Sequence, residues 1–172
     1  MILDLVPDNH PILRTKLENF DFENPPIDPV ELSNNLIETM AHYKGIGLSA
    51  NQCGLPYRVF VMWSELPMAC FNPRIIDESS EHIMLDEGCL SYPQLFLPIK
   101  RSKMIKVRFR DHTSEVRTDK FIGMTARCFQ HELDHLNGIV FTSKAGTFHL
   151  NRALRKQKLA LRKLKGETHV YA

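Results

Sequence analysis

Apolar positions along the chain change period twice. Leu32, Leu36, Met40 and Tyr43 recur at helical intervals and predict an amphipathic helix. Asp28 as cap, Pro29 at the first helical position and Glu31 three residues after the cap mark its start, and Gly45 marks its end. Upstream, Pro7, Pro11, Pro25 and Pro26 break a segment that reads as extended chain or loop. The period then becomes two. Over Met104–Arg110, Ile105, Val107 and Phe109 alternate with Lys106, Arg108 and Arg110, the pattern of an antiparallel strand with one wet face. Tyr57–Trp63 is rich in β-branched and aromatic residues, and Phe71–Asp77 and His82–Asp86 are weaker strand candidates. A helical pattern returns from Met124 to Asn137, where Ala126, Cys128, Phe129, Leu133 and Leu136 suggest burial on several sides. Asn137-Gly138 is its stop. A last helix over Leu150–Lys165 places Leu150, Leu154, Leu161 and Leu164 on one face. Helix, strands, helix, helix in that order predicts an α+β fold rather than a doubly wound parallel sheet.

Length and composition fit one self-sufficient domain over residues 1–172. With 43% hydrophobic and 24% charged residues, the chain can bury a core without disulfides. This excludes a disordered tail, a collagen-like fibre and a miniature disulfide scaffold. No apolar run approaches the ~18 residues of a membrane span. The N-terminus lacks the basic-then-apolar order of a signal peptide, so a cytoplasmic setting is expected, with Cys53, Cys70, Cys89 and Cys128 reduced. The net charge of +2 hides an asymmetry. Eight Lys/Arg and no Asp/Glu lie between Lys144 and Lys165, leaving a mildly acidic body with a basic tail.

The sharpest chemical signal is His131-Glu132-Leu133-Asp134-His135. Residues four apart share a helix face, so two imidazoles so placed can hold one metal ion, with Glu132 beside them to take a proton from water. A third protein ligand is then needed. The spacing His131-Glu132-x-x-His135-x-x-Gly138 resembles the metzincin proteases, but Phe141 stands where their third histidine would be. A thermolysin-like downstream glutamate has only Glu167 as a candidate, and His149 is the remaining downstream option. Upstream, Cys89 follows a strand candidate within Glu87-Gly88-Cys89-Leu90-Ser91, and a thiolate suits zinc or Fe(II). Cys128 competes from the same helix face. Three ligands from one short helix would crowd the ion, which favours Cys89. A glycine-rich stretch, Gly45-Ile46-Gly47-Leu48-Ser49-Ala50-Asn51-Gln52-Cys53-Gly54, suggests a backbone that comes close to another group.

Taken together in order, the three segments resemble the peptide deformylase family. Its Glu-Gly-Cys-Leu-Ser motif matches at Glu87–Ser91 and its Gln-His-Glu-x-Asp-His motif at Gln130–His135. Its Gly-x-Gly-Leu-Ala-Ala-x-Gln motif matches at Gly45, Gly47, Leu48, Ala50 and Gln52. Ser49 stands where the family usually has alanine, and Asn51 where proline is common. Pro7-Asp8 followed by Leu13-Arg14 also resembles the family's N-terminal segment.

The resemblance implies antiparallel sheets wrapped around the helix that bears the histidines. It implies that Cys89, His131 and His135 hold one divalent metal with water as fourth ligand. The metal would commonly be Fe(II), with activity kept in nickel or cobalt and less in zinc. Glu132 would be general base and then acid. Gln52 and the Leu90 backbone N–H would donate to the oxyanion. Ile46 and Gly47 would pair with the substrate, and Ile46, Met124 and Cys128 would line a methionine pocket, with Arg127 where an apolar residue often occurs. The implied reaction releases formate from the N-terminal formyl-methionine of new polypeptides, and the basic helix over residues 149–166 would dock on the ribosome. Two other classes compete: a zincin-type endopeptidase, opposed by Phe141, and a silent RNA-binding relative, opposed by the retained Glu132, Gln52 and ligand set.

Overall fold

The computed structural model describes residues 1–167, with side chains as far as Leu164. Helix α1 spans Pro29–His42, and Asp28 accepts from the N–H groups of Val30 and Glu31 as the sequence leads one to expect. Its exit differs from expectation. Lys44, not Gly45, takes the left-handed conformation, at φ 57°. Gly45 is needed for space instead: a Cβ there would lie 2.8 Å from Leu90 Cδ1.

Strands β1 (Gly47–Ser49), β2 (Val59–Trp63), β3 (Pro67–Glu78), β6 (Met104–Arg110) and β7 (Val116–Ile122) form one sheet in the order β1-β2-β3-β6-β7, antiparallel throughout. Strands β4 (His82–Cys89) and β5 (Tyr92–Ser102) form a separate antiparallel ribbon. Helix α2 covers Gly123–Leu136, and α3 covers Thr147–Glu167.

The large sheet lies between two helices. Val59 and Val61 of β2 join the α1 residues Leu32, Leu36 and Met40 in one cluster. Phe60 and Met62, pointing the other way, join Ala126, Cys128, Phe129 and Leu136 of α2 in another. A strand covered on both faces has no polar alternation, which is why β2 reads as a continuous apolar run. The β4–β5 ribbon closes a third cluster, with Leu95, Leu97 and Ile99 against Phe141 and Ala153. Helix α2 is thus enclosed by β-structure, which buries ten of its residues, including both histidines and Glu132.

Two strands escape the sequence pattern for identifiable reasons. Strand β5 carries Pro93 and Pro98, which a two-stranded ribbon tolerates because each strand has an unpaired side. Strand β7 is the outer strand of its sheet and largely exposed, so Arg117, Asp119 and Lys120 mask it. It runs straight into α2, and Gly123, at φ 64°, makes the turn between them. Helix α3 begins at Thr147, three residues before the expected start. Its inward face uses Leu150 and Ala153, whereas Leu154 and Leu164 of the expected leucine stripe are exposed. The expected end of that helix, Lys165, lies outside the described side chains, and residues 168–172 lie outside the described residues altogether. Among the described residues no helix is long and apolar enough to cross a membrane.

Candidate active site and metal centre

Helix α2 supplies His131 and His135 one turn apart, and the end of β4 brings Cys89 to them. The ligand atoms of the three lie within 4.8 Å of one another. Cys89 Sγ is 3.2 Å from His135 Nε2. Two buried imidazoles and a thiol converging this closely are the donor set of a three-ligand transition-metal site with an open side. The donors therefore fit a divalent ion. Two other ligand candidates fall away from the group: His149 is exposed on α3, and Cys128 directs its thiol to the carbonyl of Ile46, 3.3 Å away, while the side chain of Glu167 lies outside the described ones.

A layer of charge fixes the histidines. His131 Nδ1 lies 3.0 Å from Glu87 Oε2, which leaves Nε2 turned toward Cys89 and His135. Glu87 is itself clamped by Arg101, through Nε and Nη2 at 2.9 Å each, and by Arg127 Nη1 at 2.6 Å. Arg101 continues to Asp134, which also meets Lys144 at 3.1 Å. Burial pushes the Glu87 carboxyl up, but its bonds to Arg101 and His131 outweigh this and hold it well below the usual carboxylate range. Burial likewise pushes the free His131 imidazole down, and the bonds to Cys89 and Glu87 lift it to about 10. Burial, reinforced by His131, lowers His135.

Glu132 is buried beside the ligands, and burial raises its carboxyl to about 7. Its Oε2 and His135 Nδ1 have no hydrogen-bond partner, which is costly for buried polar atoms. A carboxylate oxygen left open at the edge of a metal group is free for water or substrate. Gly47 of β1 makes the space: a Cβ there would fall 2.4 Å from Glu132 Oε1 and 2.7 Å from Cys128 Sγ.

After β1 the chain makes a 3-10 turn over Ala50–Cys53 that carries Gln52 inward. Gln52 Oε1 accepts the N–H of Ser49 at 2.9 Å. Its Nε2 therefore faces Ser91 Oγ at 3.0 Å and Cys89 Sγ at 3.5 Å. Ile46, Gly47, Gln52, Cys89, Leu90, Met124, Cys128, His131 and Glu132 all line one cleft of about 650 Å³, with His135 buried beneath. Ile46 and Met124 form exposed apolar rims, and the buried Cys128 lies deeper. Arg127 joins the wall, its guanidinium occupied by Glu87 and the carbonyls of Ile99 and Ile83.

A profile of the family described as polypeptide deformylase matches residues 2–150. The chain belongs to this family. A peptide deformylase from Thermotoga neapolitana is 46% identical over 110 residues, covering 63% of this chain and 67% of the relative. One from Christiangramia forsetii is 34% identical, covering 93% and 89%. Among solved structures, a peptide deformylase from Synechococcus elongatus in complex with actinonin superposes with a TM-score of 0.84 at 30% identity, covering 91% of this chain and 88% of that one. The Thermotoga maritima peptide deformylase superposes at 0.78 and 36% identity, covering 85% and 99%. The activity of this family is hydrolysis of the N-formyl group of newly made polypeptides, and it is metal-dependent. The endopeptidase reading is set aside by this membership.

Several residues of the deformylase site had no role in the sequence reading. Glu87 stood inside a quoted motif, but its bond to His131 has no sequence signature. Arg101 had a usable one: it continues the inward parity of Leu95, Leu97 and Ile99 along β5, so a charge was bound for the interior. Arg127, which stands where an apolar residue often occurs in the family, forms an ion pair with Glu87 that has no sequence signature either.

Proposed function

We propose that the whole chain, 1–172, forms one catalytic domain that deformylates formyl-methionyl peptides with Cys89, His131 and His135 holding Fe(II) in the cell, and Zn(II), Ni(II) or Co(II) able to replace it. The observation that carries this reading is the convergence of the three ligands, the open oxygen of Glu132 and the oriented amide of Gln52 in one cleft. The ion supplies Lewis acidity toward water and the formyl carbonyl. Glu132 takes the proton of the attacking water and passes it to the departing amine. Gln52 Nε2 and the Leu90 N–H donate to the formyl oxygen as negative charge develops on it. The backbone of Ile46 and Gly47 pairs with the extended substrate, while Ile46, Met124 and Cys128 hold the methionine side chain. The enzyme works in a bacterial or bacterial-like cytoplasm, where the exposed cations of α3, among them Arg152, Arg155 and Arg162, attract ribosomal RNA.

The test is formate release by metal-loaded wild type, Cys89→Ser, Gln52→Ala and Glu132→Ala, with bound metal measured alongside. Glu132→Ala is expected to keep its metal and lose ~10²–10⁴ in kcat, the scale of a general acid–base group. Cys89→Ser is expected to lose the metal itself. Full turnover in Glu132→Ala would overturn the assignment of the proton shuttle.

A further inference from the structure

Both departures from the family's first motif are buried, and they are bonded to each other. Ser49 and Asn51 are each 0% exposed. The Ser49 hydroxyl lies 2.8 Å from Asn51 Oδ1 and 3.0 Å from Gln52 Oε1. Backbone groups settle which end of each amide is which. Gln52 Oε1 accepts the Ser49 N–H, and Asn51 Nδ2 donates to the carbonyl of His135 at 2.7 Å. A hydroxyl has one proton to give, and here two amide oxygens are within its reach. Gln52 Oε1 has a second donor in the Ser49 N–H, whereas Asn51 Oδ1 has no other among the described residues. The proton is therefore held mainly by Asn51 and shared with Gln52.

We infer that Ser49 and Asn51 are a coupled positioning pair that ties the amide of Gln52 to the end of α2 carrying His135, and so sets where that amide stands relative to the metal ligands. The inference rests on the reading of Gln52 as the oxyanion donor. The chain of bonds runs Gln52, Ser49, Asn51, His135 carbonyl, linking the glycine-rich segment to a residue 84 positions away from Asn51. Neither residue makes sense alone. Asparagine without serine buries an unpaired amide oxygen, and serine without asparagine loses its nearest acceptor. Alanine and proline, usual at these positions in the family, offer neither group.

The test compares Ser49→Ala, Asn51→Ala, the double variant and Gln52→Ala. Three readouts are needed: kcat and KM on a formyl-Met peptide, urea unfolding, and the ¹H–¹⁵N signals of the Gln52 side-chain amide in the zinc-loaded protein. Each break uncouples Gln52 from the carbonyl of His135. Both single variants and the double are therefore expected to lose about tenfold in kcat, the scale of one network hydrogen bond, with KM nearly unchanged. All three also shift the Gln52 amide signals. Stability follows a different order: Ser49→Ala is the least stable, and the double variant recovers because no amide oxygen is left unpaired. If Ser49→Ala does not fold, the double variant carries the kinetic and spectral test. Wild-type kcat and unshifted Gln52 signals in the double variant, with activity lost in Gln52→Ala, would overturn the inference alone. Full activity in Gln52→Ala would overturn the oxyanion reading, and the inference with it.

Discussion

Glycine at position 47 is required by the side chain opposite it rather than by its own backbone, which is ordinary strand. The missing Cβ is the space occupied by Glu132 Oε1 and Cys128 Sγ. Gly47→Ala is expected to displace Glu132 and cut turnover at least ~10²-fold, since displacing the shuttle forfeits most of its effect. The protein should still unfold cooperatively, because the displaced group faces the cleft; circular dichroism and formate assays on the same sample check both halves. Cys53 and Cys70 behave as packing residues, and all four cysteines are free of disulfides. Burial pushes the Cys53 thiol up to about 12 and Cys70 well above its usual range. At neutral pH almost none of either is thiolate, so iodoacetamide should leave both unmodified in the folded protein and label both in urea. Mass mapping of the labelled peptides reads this directly. At this scale the pairing of His131 with His135 on one face was legible, because helical spacing leaves two histidines four apart few alternatives. The partner of His131 was not, because a bond between residues 44 apart has no periodic trace.

At the scale of elements, the charged layer holds the β4–β5 ribbon against α2. Arg101 from β5 and Arg127 from α2 meet on Glu87 of β4, and Arg101 reaches back to Asp134 of α2. Removing one member leaves buried charges uncompensated. Arg101→Leu is expected to destabilise the fold by about 3–5 kcal/mol and to weaken metal retention through the freed Glu87 and His131. Urea unfolding and metal content after dialysis measure the two effects; unchanged values in both would contradict this account of the ribbon. The elements themselves were legible where one period dominated. Strand β6 matches its expected limits, and α1 starts at its expected cap. Strand β7 was hidden by exposure and β5 by prolines, and both depend on tertiary context: one is an outer strand and the other half of a ribbon.

On the scale of the whole molecule, two helices enclose the sheet and the ribbon closes the site, so that α2 lies in the interior and presents its histidines to a cleft. Helix α3 stands apart in character. It packs through Leu150 and Ala153 and turns most of its described cations outward. The triple change Arg155→Glu, Lys156→Glu, Arg162→Glu is expected to leave turnover of a free formyl peptide unchanged. The same change should abolish salt-sensitive co-sedimentation with ribosomes. Retained ribosome binding by this variant would remove α3 from the docking account. The basic tail was legible from composition, but which leucines it buries was not, because the stripe at 150, 154, 161 and 164 is only one of the faces its sequence offers. The central claim is that this cleft removes a formyl group and cuts no internal peptide bond. Its most direct test is mass spectrometry of formyl-Met-Ala-Ser after anaerobic incubation with Fe(II)-loaded protein, beside Glu132→Ala. The account predicts loss of the formyl group alone, with free formate, and an intact peptide with the variant; internal cleavage, or an unchanged peptide with folded, metal-loaded wild type, would contradict it.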